Sequence, residues 1–248
     1  MNRLVRAELY RGLHSNHFVI WLVTVCLIFV MMMGVAMEDL FSLNLGEAME
    51  SFVNVIAFMQ MLVATFPAVV IGIGYMRKTA YYEVMAGNRI SHILFSKIIA
   101  NAIPVAICIF VASIIVPVIL SVKNGTGAVT QLLERTALYM VLLFHITICS
   151  VWMMTAIRHI GGAILVYIRF AAIDLIALLI LSLIVDGMST VPTWYDGVRN
   201  CFIMNQMSYI FLGEITSEFV SAVFISLLLE SAFWYITSYI GMKKKLYG

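Results

Sequence analysis

The sequence predicts an all-α integral membrane protein with six spanning helices. An amino-terminal interfacial helix, a short cytoplasmic helix and an external re-entrant segment before the last span complete the expected fold. Three observations carry this reading. Hydrophobic residues make up 63% of the 248-residue chain and charged residues 11%, with a mean hydropathy of +1.03; a soluble domain carries about 25% charge. Six apolar runs reach the roughly 20 residues that a helix needs to cross the hydrocarbon core. The basic residues, finally, sort by loop. A net charge of +2 gives no reason to expect a nucleic-acid partner.

Met1–His17 precedes the first run. Val5, Leu9 and Leu13 recur every four residues with Leu4 beside them, while Arg3, Arg6 and Glu8 lie largely elsewhere around the helix. That pattern suits a basic amphipathic helix in the membrane interface; a disordered basic leader is the other reading. The expected spans follow at Phe18–Met37, Phe52–Tyr75, Ile98–Leu120, Ala137–Ile157, Ile160–Val185 and Phe219–Gly241. No small-residue cleavage site follows the first, which reads as a retained helix rather than a signal peptide. Pro67, Pro104 and Pro117 in the second and third spans each remove a helical hydrogen bond and invite a kink. The external stretch 186–218 holds the run Val198–Gly213, too short and interrupted to span, and so re-entrant or interfacial.

Orientation follows from lysine and arginine. One side collects Arg3, Arg6, Arg11, Arg77, Lys78, Arg89, Lys97, Arg158, Lys243, Lys244 and Lys245; the other has only Lys123, Arg135 and Arg199. Nine acids, from Glu38 to Glu218, lie on the basic-poor side. Both termini are therefore expected in the cytoplasm of a multi-pass plasma-membrane protein. Cys26, Cys108 and Cys149 fall within spans and Cys201 in a loop. With no CxxC motif or Cys/His cluster along the chain, neither a disulfide framework nor a metal site is expected.

The longest cytoplasmic insert is Gly74–Ile99. Thr79 is placed to cap a helix over Ala80–Ala86 that Gly87-Asn88 ends, and Ser91 starts a second helix running through Lys97 into the third span. Tyr81, Tyr82, Glu83 and Met85 on a short exposed helix suit docking of a cytoplasmic partner, since aromatic and methionine side chains favour interface cores. Tyrosines resting among lipid headgroups are the other reading.

Three charges lie inside spans: Arg169, Asp174 and Glu230. At ~1.5 Å per residue, Arg169 and Glu230 differ in depth by only ~3 Å, so a pair between the fifth and sixth spans is expected. Arg169 and Asp174 are five apart, about 140° around an α-helix, and are not expected to pair along one face. A proton or ion relay through Asp174 and Glu230, or a hydrated substrate path, are the other readings. His145, with Thr147 and Ser150 on the fourth span, reads as a hydrogen-bonding core histidine.

The order of interfacial helix, span, acidic loop, span, cytoplasmic helix, two spans, tight turn, span, external segment and span resembles the membrane subunit of type-2 ABC exporters. That permease class includes drug, lipid and bacteriocin-immunity exporters. The resemblance covers essentially the whole chain. Thr79, Gly87, Arg89, Ser91 and Lys97 stand in for a loose family motif, although Lys78 replaces its glycine and Arg89 precedes Ser91. It implies that Arg3–Ser15 is an elbow helix and 79–87 a coupling helix, with Thr79, Tyr81, Tyr82, Glu83, Met85 and Gly87 at the joint with a separate cytoplasmic ATPase. It further implies a dimer with a second permease copy or homologue, and export of a hydrophobic or amphipathic substrate, a peptide first and a drug or lipid otherwise. ATP and magnesium would then belong to the partner subunit. This chain has no phosphate-loop motif and no HExxH, GxSxG or paired-aspartate motif, so it is not expected to be an enzyme or to hold a cofactor. A membrane anchor or sensor subunit, and an ion-coupled transporter using Asp174 and Glu230, are the rival readings.

The orientation is testable by thiol labelling. In a background without Cys201, a cysteine at Asn124 should react with an impermeant reagent on intact cells, and one at Asn88 should be protected. The reverse pattern would overturn the inside-out assignment.

Overall fold

The computed structural model describes residues 2–16, 18–24, 27, 66–77, 79–124, 127–159, 161–188, 190–212 and 214–247. Side chains at 2, 80, 81, 108–133, 136, 171, 211–212 and 245–247 lie outside that description. So do most of the first span, the acidic loop, the first part of the second span, Lys78, the Tyr81 side chain, and any effect of Pro117 on packing.

Among the described residues the chain is all-helical. In chain order the helices are α1 (Asn2–Leu13), α2 (Phe66–Met76), α3 (Thr79–Met85), α4 (Ile90–Asn124) and α5 (Gly127–Ile157). They are followed by α6 (Gly162–Ile168), a π turn (Arg169–Ile173), α7 (Asp174–Asp186), α8 (Tyr195–Arg199), α9 (Ile203–Leu212) and α10 (Ser217–Tyr247). Three helices are long and apolar enough to cross a membrane, over Ile90–Ile107, Ala137–Ile157 and Ser217–Lys244. They mark the chain as membrane-embedded.

Sequence fixes which helix is central. In α5, small and apolar residues surround its axis, and 72% of its apolar window is buried, against 17% for α10. Leu142, Leu143, Ile146, Cys149, Val151 and Met154 are fully enclosed, with α4, α10, α9 and α6 packed around them. On α10, Phe224, Ile225, Leu228, Leu229, Phe233 and Ile236 face outward. Lipid is as apolar as these side chains, so burial alone does not hold α10 to α5; packing and interhelical hydrogen bonds must. Ser238 Oγ donates to the Trp152 carbonyl at 2.5 Å, and Phe95, Trp152 and Tyr235 make an aromatic cluster across α4, α5 and α10.

α4 is one helix from the loop onward and runs through Pro104 and Pro117 without a break. It starts at Ile90, eight residues before the predicted span, because the helix that Ser91 was expected to start simply continues into the membrane. The fifth predicted span is helical too, but not uniformly α: α6, the π turn and α7 follow one another directly, with right-handed helical backbone at both junctions.

The tight turn after α5 rests on Arg158. Its φ of 59° is the left-handed conformation that glycine usually supplies at a helix end. Its N–H reaches back to the Met154 carbonyl at 2.9 Å. The guanidinium lies against α10 at Gly241, where a Cβ would stand 2.6 Å from Nη2. A Cβ at 241 would press on the flexible end of that arginine and displace it from α10. After α7 the chain passes through α8 to α9, which packs on α5 and α7. Arg135 Nη1 donates to the Ile210 carbonyl at 2.7 Å, and Gln206 Nε2 donates to Ser226 Oγ at 2.8 Å.

The amino-terminal helix docks differently from its predicted amphipathic face. Leu4 and Glu8 turn toward the bundle, with Glu8 buried, while Leu13 is exposed and Val5 and Leu9 are half-buried. α1 packs along α4. A charged residue on the inner face is possible only because α4 supplies its counter-charge.

Candidate functional site

That counter-charge is Lys97, whose side chain is 2% exposed. It ion-pairs with Glu8, which also pairs with Arg11 one turn along α1. Lys97 Nζ further lies 3.2 Å from Glu83 Oε2, and Arg11 Nη1 3.8 Å from Glu83 Oε1. Four charges thus join α1, α3 and α4 at one end of the bundle. Breaking such a pair by removing one partner leaves an uncompensated buried charge, at a cost of about 3–5 kcal/mol.

The two acids do not share Lys97 equally. Burial pushes Glu8 up, but Lys97 and Arg11 outweigh it and hold the carboxyl below its ordinary value. For Glu83, burial dominates; Lys97 opposes it, Glu8 reinforces it, and the carboxyl is raised to about 7.

On α3, Tyr82 and Met85 stand one turn apart and are 64% and 69% exposed. Glu83 is not on that face. Its side chain is 15% exposed and directed inward, which corrects its expected place among the exposed side chains of this helix. The reason is helical phase: Tyr82 and Met85 share a face at i, i+3, while Glu83 and Val84 turn to the bundle. Thr79 also departs from its expected role. Its hydroxyl donates to the Gly74 carbonyl at 2.9 Å, tying α3 to the end of α2 rather than capping an N–H of α3. The stop at Gly87 is as expected. With φ of 82°, it donates to the Val84 carbonyl at 2.9 Å while Asn88 N–H reaches Glu83 O at 3.4 Å, the two bonds of a Schellman cap.

Deeper in the bundle, Arg169 Nη2 donates to Glu230 Oε1 at 2.8 Å, joining the fifth-span segment to α10. Arg169 also pairs with Asp174, contrary to the α-helical phase argument. The π turn is the cause: its i→i+5 bonding returns residues five apart to one face. The second Asp174 oxygen accepts the Ile203 N–H at 3.0 Å, a carboxylate at the positive end of α9. His145 Nε2 of α5 lies 3.3 Å from Glu230 Oε2. Cys149, one turn beyond His145, completes a group with Glu230 whose ligand atoms all fall within 4.8 Å of one another. The sequence reading found no Cys/His cluster because the third member is 81 positions farther on and an i, i+4 pair on an apolar helix is unremarkable alone.

Arg169 thus sits between the two carboxylates. A guanidinium keeps its protons at any accessible pH, so it bridges Asp174 and Glu230 electrostatically but is a poor proton carrier between them. The signal for the Glu8–Lys97 pair was also absent from local sequence, since its members are 89 residues apart.

No protein-family model matches the chain, and the curated proteins include no significant match to it.

Two outcomes follow from these clusters. The raised Glu83 value means that the folded chain binds this proton more tightly than the unfolded chain. Its contribution to stability is full below the ordinary value of 4.5 and is lost as pH rises through about 7. The melting midpoint in detergent should therefore fall between about pH 5 and about pH 8, and Glu83→Gln should flatten that decline. An undiminished decline in the variant would assign it to another group. For the deeper cluster, Arg169→Met and Glu230→Gln should show a coupling of about 1 kcal/mol or more in a double-mutant cycle. Strictly additive losses would mean that the contact carries no energy.

Proposed function

We propose that the chain is the transmembrane permease subunit of an ATP-driven ABC exporter. On this reading it has six spans with both termini in the cytoplasm of the plasma membrane, and works as a dimer with a second permease copy or homologue. A separate cytoplasmic ATPase subunit binds ATP and magnesium. The cargo is hydrophobic or amphipathic, with peptides the favoured class. α1 acts as the elbow helix, α3 as the coupling helix, and the stretch 186–218 as a re-entrant segment on the external side.

The observation that carries the reading is the two-sided character of α3. Its outer face offers Tyr82 and Met85, the kind of side chains that dominate interface energetics. Its inner face is braced through Glu83 to Lys97 at the base of α4 and to Arg11 on α1. A force applied to the outer face would pass through an ion-paired joint into one long helix and the interfacial helix together. A tyrosine merely resting among headgroups needs no such brace. ATPase closure and reopening would move α3 and, with it, the lower half of α4, alternating access along the dimer interface.

Tyr82→Ala with Met85→Ala should cost about 2–4 kcal/mol at such an interface. That corresponds to roughly 30- to 1,000-fold in affinity for the ATPase, read as loss of co-purification at matched membrane levels. The variant should still insert and fold, since both side chains point away from the bundle. Unchanged ATPase recovery and transport would remove the coupling role; recovery lost with no transport detectable in the parent would favour the anchor reading.

A further inference from the structure

We infer that His145, Cys149 and Glu230 form a binding site for a zinc-class divalent metal ion between α5 and α10. The site is independent of whether the chain transports anything. His145 and Cys149 are i, i+4 on α5 and so share a face; Glu230 meets them from α10. The three ligand atoms lie within 4.8 Å of one another. His145 Nε2 and Glu230 Oε2 are 3.3 Å apart. Two ligands each about 2.0–2.1 Å from a tetrahedral zinc stand about 3.3–3.4 Å apart, so this pair is already spaced for the ion. The Cys149 sulfur lies within 4.8 Å of both and would have to move closer to complete the coordination.

The second, independent observation is His145 itself. The residue is fully buried, yet neither ring nitrogen has a hydrogen-bond partner among the described residues. Nε2 has only the Glu230 Oε2 carboxylate beside it, at 3.3 Å, and Nδ1 has no hydrogen-bond partner among the described residues. A buried polar nitrogen left unsatisfied is costly, and a metal would satisfy Nε2 directly. Glu230 is arranged to match. Arg169 holds Oε1 at 2.8 Å, which orients the carboxylate and leaves Oε2 directed at the imidazole.

Charge points the same way. Arg169 against Asp174 and Glu230 leaves one net negative charge in an apolar interior. A divalent ion with Cys149 as thiolate brings the group to neutrality. A proton on His145 would do so as well, and that is the rival. Imidazole, thiolate and carboxylate together suit zinc and disfavour calcium and magnesium, which take oxygen ligands. Three protein ligands leave a fourth position open.

The experiment uses the full chain in nanodiscs, stripped with chelator and then titrated with zinc, with metal content measured by mass spectrometry. One zinc per chain should bind and raise the thermal midpoint. Cys149→Ser and His145→Asn should each weaken binding roughly tenfold or more, while Cys201→Ser should leave it unchanged. Cobalt in place of zinc should give thiolate-to-metal absorption that vanishes in Cys149→Ser. If the parent chain retains no zinc at low micromolar free metal, the cluster holds a proton instead and the proposal fails. Binding that survives both ligand substitutions would overturn it equally. Should a variant fail to fold, the parent's stoichiometry and cobalt spectrum decide the question.

Discussion

An arginine side chain in the apolar interior of a membrane protein has few stable arrangements, and Arg169 adopts one that organises the helices around it. An unpaired guanidinium there costs several kcal/mol, so its donors must be met from within the bundle. Glu230 meets one side from α10 and Asp174 the other from the same helix. The second contact requires residues five apart to face the same way, which an α-helix does not allow. The π turn at Arg169–Ile173 supplies that phase. Asp174 then has one oxygen left, and the start of α9 takes it. One partly buried cation thus links a π turn, the start of α9 and the long helix α10.

The Lys97 cluster solves the same electrostatic problem at the other place where charge enters the bundle. Here the cation is on α4 and both acids come from elements that would otherwise have little reason to stay attached. α1 is short and half exposed, and α3 has seven residues. An isolated helix of that length is marginal in water, so α3 owes its persistence to its cap, to Thr79 holding the preceding carbonyl, and to Glu83. That arrangement ties α3 to the bundle through its inner side while the Tyr82 and Met85 side chains remain largely exposed.

The sequence was legible where the physics is local. Apolar run length exposes a membrane protein, because crossing hydrocarbon demands it. Gly87-Asn88 exposes the end of α3, because only a residue tolerant of positive φ serves there. The Arg169–Glu230 contact was legible from depth alone, since both positions fall on long helices of known rise. The failures were of two kinds. Glu83, Glu8 and Lys97 belong to one cluster, but nothing within ten residues of any of them announces the others. Glu83 consequently looked like a free acid on an exposed helix. The Arg169–Asp174 pair failed for the opposite reason: the spacing was read with the right rule for the wrong helix. Nothing in Arg-Phe-Ala-Ala-Ile declares a π turn. It brings Arg169 and Asp174 to one face, a juxtaposition that becomes visible only once Glu230 and α9 are in place.

The distribution of burial gives these polar contacts their mechanical meaning. α5 is enclosed and supplies a fixed centre, whereas α10 shows most of its apolar surface outward. Because lipid and protein solvate that surface equally well, α10 can shift against α5 at little hydrophobic cost. What seats α10 on its neighbours is a short set of directional contacts: Gln206 of α9 with Ser226, Arg169 of the π turn with Glu230, and the Trp152 carbonyl of α5 with Ser238. They are spaced along the helix at roughly one per two turns or fewer, and each has a defined geometry rather than a graded one. Any ligand that engages Glu230 from the α5 side acts on the middle contact of the three, where the carboxylate is already held by Arg169.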